Sequence, residues 1–277
     1  MTTRYAIAEW FGRPFEHLSV TERQDLARRA LQQLEPAPPC PFQRDNPVCS
    51  KRGGVCSIRA DDKTPVITCP RRFNEGDVLP SWLARIVGFR DVYLASEVPF
   101  MRSPSTGRAA GRVDLVIACD EAASSWFGLE IQAVYFSGTG MQADFEMLRD
   151  NADEQPPDPT ALRRPDWRSS SAKRLMPQLQ VKGPTLRRWG TKLAVAVDRP
   201  FFDAVGGPSD APSNDLNDGD IVWLVPRITD NYRLVEDHWE VLSLEEASNK
   251  LLAAETVKRA EFEQSLRDKL NQQRPPG

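Results

Sequence analysis

Two apolar runs carry the residues best suited to chemistry. Gly111-Arg-Val-Asp-Leu-Val-Ile-Ala118 holds Asp114, and Trp126-Phe-Gly-Leu-Glu-Ile-Gln-Ala-Val-Tyr135 holds Glu130 and Gln132, with a turn-like Asp-Glu-Ala-Ala-Ser-Ser stretch between them. Both read as β-strands, in which residues two apart share a face. Glu130 and Gln132 therefore project together, with Leu129, Ile131 and Ala133 packing behind them, and pairing of the two runs brings in Asp114. Two converging carboxylates with a polar group beside them meet the requirement for holding Mg²⁺ against a phosphodiester. The expected chemistry is phosphodiester hydrolysis, with Asp114, Glu130 and Gln132 as catalytic residues. The alternative is that these are ordinary solvated groups among 39 acidic residues. Polar side chains that interrupt runs of Val, Ile, Leu and aromatics favour the first reading.

A second constellation is Cys40-x8-Cys49-x6-Cys56-x12-Cys69, set among Pro41, Pro47, Gly53-Gly54 and Pro70. A segment with few large apolar residues needs a staple. In a reducing compartment a tetrahedral four-thiolate site for zinc or iron supplies one. Two disulfides, or unpaired buried thiols, are the alternatives. Closed four-thiolate sites leave no position for substrate, so the expected role is structural. The fifth cysteine, Cys119, sits in an apolar strand and reads as a core residue.

The bulk numbers bound the class. A chain of 277 residues with 40% apolar and 27% charged content fits a globular protein with one sizeable domain and an appendage. No apolar run approaches the ~20 residues of a membrane span, and the first residues lack an apolar core of signal-peptide length. The expectation is a cytoplasmic protein with no membrane partner. The net charge of −3 conceals an asymmetry: from Arg163 to Lys192 nine basic residues face one acidic residue, leaving −11 on the remainder. A localised basic face on an acidic protein suits a polyanion groove. Arg163, Arg164, Arg168, Lys173, Arg174 and Lys182 are the candidate contacts to double-stranded DNA, with Trp167, Trp189 and Ser169-Ser-Ser171 available to stack or to meet phosphates. The two histidines, His17 and His238, sit near no plausible nucleophile. Neither a G-x-G-x-x-G nor a P-loop pattern occurs, so no nucleotide cofactor is expected.

Several elements must position these groups. Ser19-Val-Thr-Glu22 is a capping box that opens a helix to about Gln33, with Leu26, Ala27, Ala30, Leu31 and Leu34 along one side; Glu35-Pro-Ala-Pro-Pro39 stops it. A short helix is expected near Leu79–Val87. Strands are expected at Val92–Val98, Val113–Ala118, Phe127–Phe136 (ended by Gly138-Thr-Gly140), Leu193–Val197 and Ile221–Val225. Ser243-Leu-Glu-Glu246 caps a long amphipathic helix to about Asn271, with Leu244, Ala247, Leu251, Ala254, Phe262, Leu266 and Leu270 as its apolar positions. The pattern is mixed α/β, a central sheet flanked by helices. Four regions are expected: 1–39, N-terminal and helical; 40–73, the cysteine insert; 74–242, the core; and 243–277, the C-terminal helix.

Taken together these residues resemble the NotI family of type II restriction endonucleases. The parallels are Cys-Pro-Phe-Gln (40–43), Cys-Ser-Lys-Arg-Gly-Gly-Val-Cys-Ser-Ile (49–58), Cys-Pro-Arg-Arg-Phe (69–73), Gly-Arg-Val-Asp-Leu-Val (111–116), Leu-Glu-Ile-Gln-Ala-Val (129–134) and Arg-Ser-Ser-Ser-Ala-Lys-Arg-Leu-Met-Pro-Gln-Leu (168–179). The resemblance implies a fold similar to the PD-(D/E)xK nucleases, a homodimer, and cutting of GC-rich palindromic DNA. It implies a structural iron ion on Cys40, Cys49, Cys56 and Cys69, and a Mg²⁺-dependent site at Asp114, Glu130 and Gln132. Gln132 stands where the wider superfamily has lysine; an amide orients water but brings no positive charge. Glu97, in the preceding strand, is a candidate additional acid. Two rivals remain: a defence or repair nuclease on the same scaffold, and a DNA-binding protein with a structural metal site and no catalysis.

Overall fold

The computed structural model describes residues 4–32, 37–60, 63–137, 140–159, 163–252 and 257–272. In chain order the principal elements are β1 (Ala6–Trp10), α1 (Val20–Gln32), β2 (Val55–Arg59), α2 (Val78–Val87), β3 (Tyr93–Arg102), β4 (Ala109–Ala118), β5 (Trp126–Ile131), α3 (Gln142–Asp150), α4 (Met176–Arg188), β6 (Leu193–Ala196), α5 (Arg199–Ala204), β7 (Ile221–Ile228), β8 (Leu234–Leu242), α6 (Leu244–Leu251) and α7 (Arg259–Gln272). The central sheet runs β8-β7-β6-β5-β4-β3. β6 is parallel to both β5 and β7, and the remaining pairs are antiparallel. This is the mixed α/β arrangement expected, a mixed central sheet flanked by helices.

Period-two alternation divides β6 and β7 between two apolar layers. Leu193, Val195, Ile221, Trp223 and Val225 pack with Leu175, Leu179 and Leu186 around α4, and with Ala247 and Leu251 of α6. Ala194, Ala196, Val222 and Leu224 face the other way, onto Leu79, Trp82 and Leu83 of α2. With both faces covered, the strands read as near-continuous apolar runs. That is why they are visible in the sequence.

A second sheet joins Arg13–Pro14, β1, β2 and Val66–Ile67 in that order. It crosses the boundary expected between a helical N-terminal region and a loop-rich insert, because β1 pairs directly with β2. Val55, Ile58, Val66 and Ile67 are buried, so the cysteine segment has more apolar core than its composition suggests. Ser19 and Glu22 form the expected reciprocal cap ahead of α1, and Ser243 and Glu246 do the same for α6.

Two expected elements are divided. The strand predicted over Phe127–Phe136 ends at Ile131. Beyond it, the Gln132 N–H donates to Ala196 and the Val134 N–H to Ile67 of the second sheet, so the chain leaves the ladder to bridge the two sheets. Phe136–Ser137 then pairs with Arg164–Pro165. The predicted C-terminal helix is described as two, α6 and α7, and the Phe262, Leu266 and Leu270 side chains on α7 are exposed. Leu34, Gly138, Thr139 and Ala254 lie outside the described residues.

Candidate active site

Asp114 and Glu130 meet in the middle of the central sheet. β4 and β5 pair antiparallel with Leu115 opposite Leu129, which sets Asp114 beside Glu130. The Ile131 N–H donates to Asp114 Oδ2 at 2.9 Å, and the Asp114 N–H donates to Glu130 Oε1 at 3.3 Å. Each carboxylate is thus held by the backbone next to the other. Among the described residues, Asp114 Oδ1 and Glu130 Oε2 accept no hydrogen bond.

The site includes a residue expected elsewhere. Glu130 lies opposite Val195, on the sheet face covered by α4, and Lys182 of α4 donates from Nζ to Glu130 Oε1 at 2.6 Å. Lys182 is 3% exposed. It therefore lies inside the fold beside Glu130 and not on an exposed basic face. The signal was present in the helical phase: Leu175, Leu179, Lys182 and Leu186 recur at intervals of four, three and four, a buried stripe with one lysine in it. Lysine is almost never fully buried unless paired.

Electrostatics follow from this crowding. Burial, and then the neighbouring Asp114 charge, push the Glu130 carboxyl up to about 7, against the pull of Lys182. Burial likewise raises Asp114; the Ile131 N–H and the Lys182 charge oppose the rise, and Glu97 adds to it. Glu97 lies across from Asp114, between the pairs Ser96–Leu115 and Val98–Val113. Its backbone is left-handed, with φ of 53° in the middle of a strand, an uncommon state for a residue other than glycine. Gln132 is half-buried, and its amide Nε2 donates to the Ala133 carbonyl at 2.5 Å. No hydrogen bond joins Gln132 to Asp114 or Glu130 among the described residues.

The basic run divides into inside and outside. Arg164, Arg168, Lys173 and Arg174 are exposed. Arg174 lies over the Tyr135 ring, its guanidinium carbon 3.5 Å from the centroid. Tyr135 is itself half exposed, three residues past Gln132. Arg163, by contrast, is buried and paired with buried Asp144, so its charge is spent inside the fold. Trp167 is stacked on Phe201, and Ser170 and Ser171 are fully buried. Trp189 remains exposed, beside Phe100 and Trp126. The charge excess that suggested a single face is thus partly a set of internal partners.

The four cysteines of the insert line one cavity of about 120 Å³, together with Phe11, Gly12 and Lys51. None is joined in a disulfide. The Gly12 N–H donates to Cys56 Sγ at 3.3 Å, and the partly buried Lys51 ammonium donates to the Thr68 carbonyl at 2.6 Å. Burial raises the Cys49 and Cys56 thiols, and burial lowers Lys51, whose charge the thiolates would favour. The cavity thus brings four thiols together with an N–H donor and an ammonium beside them. As the described side chains stand, no group of three or more His, Cys, Asp or Glu could hold a metal ion. No helix among the described residues is long and apolar enough to cross a membrane.

Compared with known families, the chain matches the family model described as restriction endonuclease NotI over residues 22–238, most of its length. That span covers the cysteine insert, both carboxylates, α4 and the sheet through part of β8. None of the curated proteins compared with the chain matches it.

Proposed function

This chain belongs to the restriction endonuclease NotI family, and from that premise we propose that its cutting centre is the Asp114–Glu130 pair. The activity is that of a type II restriction endonuclease: site-specific hydrolysis of phosphodiester bonds in DNA. The observation that carries the assignment is the reciprocal backbone clamp on the two carboxylates, which leaves one oxygen of each unbonded at the sheet centre.

Those two oxygens, with the Ile131 carbonyl, are the donors that fit Mg²⁺, a hard cation that takes oxygen ligands. Bound there, Mg²⁺ would supply positive charge against the phosphate and make an adjoining water more acidic. Gln132, turned from the Ala133 carbonyl, would offer its amide to orient an attacking water. Arg164, Arg168, Lys173 and Arg174 hold the DNA backbone and base edges, and arginine's bidentate fit to guanine suits a GC-rich target. Two copies of the chain related by a twofold axis match a palindrome. Cys40, Cys49, Cys56 and Cys69 hold a structural iron or zinc ion that braces the second sheet; the shared cavity and the Gly12 N–H to Cys56 support this.

Mutation tests the assignment. Glu130→Ala abolishes cutting, by about 10³-fold or more, while DNA affinity measured without cleavage stays unchanged or tightens slightly through lost repulsion. A folded Glu130→Ala protein that cuts at the native rate would refute it.

A further inference from the structure

The proposed centre has a charge deficit. Two carboxylates must receive an anionic phosphate, and the residue two positions past Glu130 is a neutral glutamine whose amide is turned to Ala133. Yet a cation is already in place. Lys182 enters from α4, on the layer covering the sheet, and its Nζ lies 2.6 Å from Glu130 Oε1. An ammonium has three donors, and among the described residues Glu130 is its single hydrogen-bond partner. A buried ion pair is weak ground for stability, since well-packed apolar residues of similar volume often serve as well or better. The stripe that Lys182 interrupts is otherwise leucine at Leu175, Leu179 and Leu186, so apolar packing was available at this position.

We propose that Lys182 is the cation of the active centre, supplied from helix α4 in place of a lysine at position 132, and that it donates to a non-bridging oxygen of the scissile phosphate while holding Glu130. The inference rests on reading Asp114–Glu130 as the cutting centre. Lys182 transfers no proton. The water oxygen bonds to phosphorus and gives up its proton to solvent, the bond from phosphorus to the leaving oxygen breaks and that oxygen takes a proton from solvent, and the ammonium stabilises the charge that builds on the phosphoryl oxygens.

The test uses the full-length protein, a cognate DNA fragment and four proteins: wild type, Lys182→Met, Lys182→Met/Gln132→Lys and Glu130→Ala. Folding is read from the thermal melt, DNA affinity from binding with Ca²⁺ in place of Mg²⁺, and chemistry from single-turnover cleavage with Mg²⁺. The expected result for Lys182→Met is a loss of about 10²-fold or more in the cleavage rate, with DNA affinity within about threefold of wild type. The double variant, which restores a lysine next to Glu130 from the strand side, regains at least tenfold of that loss. A structural role would lower the melting temperature and leave the rate of the folded protein unchanged. A folded Lys182→Met protein that cuts like wild type therefore overturns the inference. If Lys182→Met does not fold, the double variant decides: cutting supports the inference, and DNA binding without cutting overturns it. Glu130→Ala separates the two claims. If it cuts, the cutting centre itself is misassigned; if it is inert while Lys182→Met is fully active, the role of Lys182 alone fails.

Discussion

Glu130 gathers most of the physics of the site. Its carboxyl is buried beside Asp114 and rises to about 7, yet holding a cation requires the ionised form. In chelator, the raised value means that protonated Glu130 favours the fold: this contribution is complete below the ordinary glutamate value of about 4.5 and is lost as pH rises through about 7. Thermal melts of wild type and Glu130→Gln should therefore diverge, the variant gaining relative to wild type between pH 5.5 and pH 8. With Mg²⁺ the sign reverses for activity. Cleavage should climb from pH 6 to pH 8 as the proton competing with the cation is lost, and excess Mg²⁺ should move the midpoint downward; a rate flat across that interval would contradict this. The pair of carboxylates was legible in the sequence because each interrupts an apolar strand. Lys182 was hidden by its surroundings: as one of nine basic residues in thirty it reads as surface charge, and only its helical phase against Leu179 and Leu186 turns it inward.

At the scale of elements, one buried side chain joins the second sheet to two neighbouring segments. Arg72 is fully buried, donates to both oxygens of Glu9 at 2.8 and 3.0 Å, and reaches Glu75 and the Tyr232 carbonyl, each at 2.8 Å. It links β1, the Pro70–Asp77 turn and the β7–β8 connection. Arg72→Met leaves buried Glu9 without its ion-pair partner, so a loss of about 3–5 kcal/mol is expected in denaturant unfolding; a loss under ~1 kcal/mol would show that the network is dispensable. Gly54 is the tight point of the cysteine segment. It has φ of 68°, and a Cβ there would stand 2.3 Å from the Phe11 ring. Gly54→Ala should cost about 1–3 kcal/mol, from overpacking added to a left-handed backbone, and should loosen the thiol cavity beside it. Helices α1, α2 and α6 and the buried strands of the central sheet could be read from caps and apolar runs, whereas α3, α4 and α5 could not. The edge strand β8 could not, because Glu236, Asp237 and His238 break its alternation. β2 was obscured by a segment whose prolines and glycines suggested only loops, and β1 by its place in a region expected to be helical. The end of β5 at Ile131 depends on a contact with Ile67, more than sixty residues earlier, which no local pattern records.

For the molecule as a whole, the question is how a chain of net charge −3 holds a polyanion. Four basic residues, Arg164, Arg168, Lys173 and Arg174, are exposed on a protein otherwise acidic, and Arg174 lies over the ring of Tyr135, five residues past Glu130. Replacing Arg168, Lys173 and Arg174 with alanine should flatten the slope of log K against log salt by about 2.7 if all three meet phosphates, roughly 0.9 per contact; an unchanged slope would place the DNA elsewhere. The thiol cavity predicts a bound thiophilic metal. Elemental analysis of freshly purified protein should find about one iron or zinc per chain, and Cys49→Ser should lose it and lower the melting temperature; metal-free protein with an unaltered melt would count against the site. The most direct measurement of the central claim is a digest of large, unmethylated, GC-rich DNA with Mg²⁺ and with chelator, followed by sequencing of the ends. The account predicts discrete fragments whose ends share one short palindrome, formed only with Mg²⁺. Salt-sensitive binding with no cutting, or a smear of unrelated ends, would contradict it.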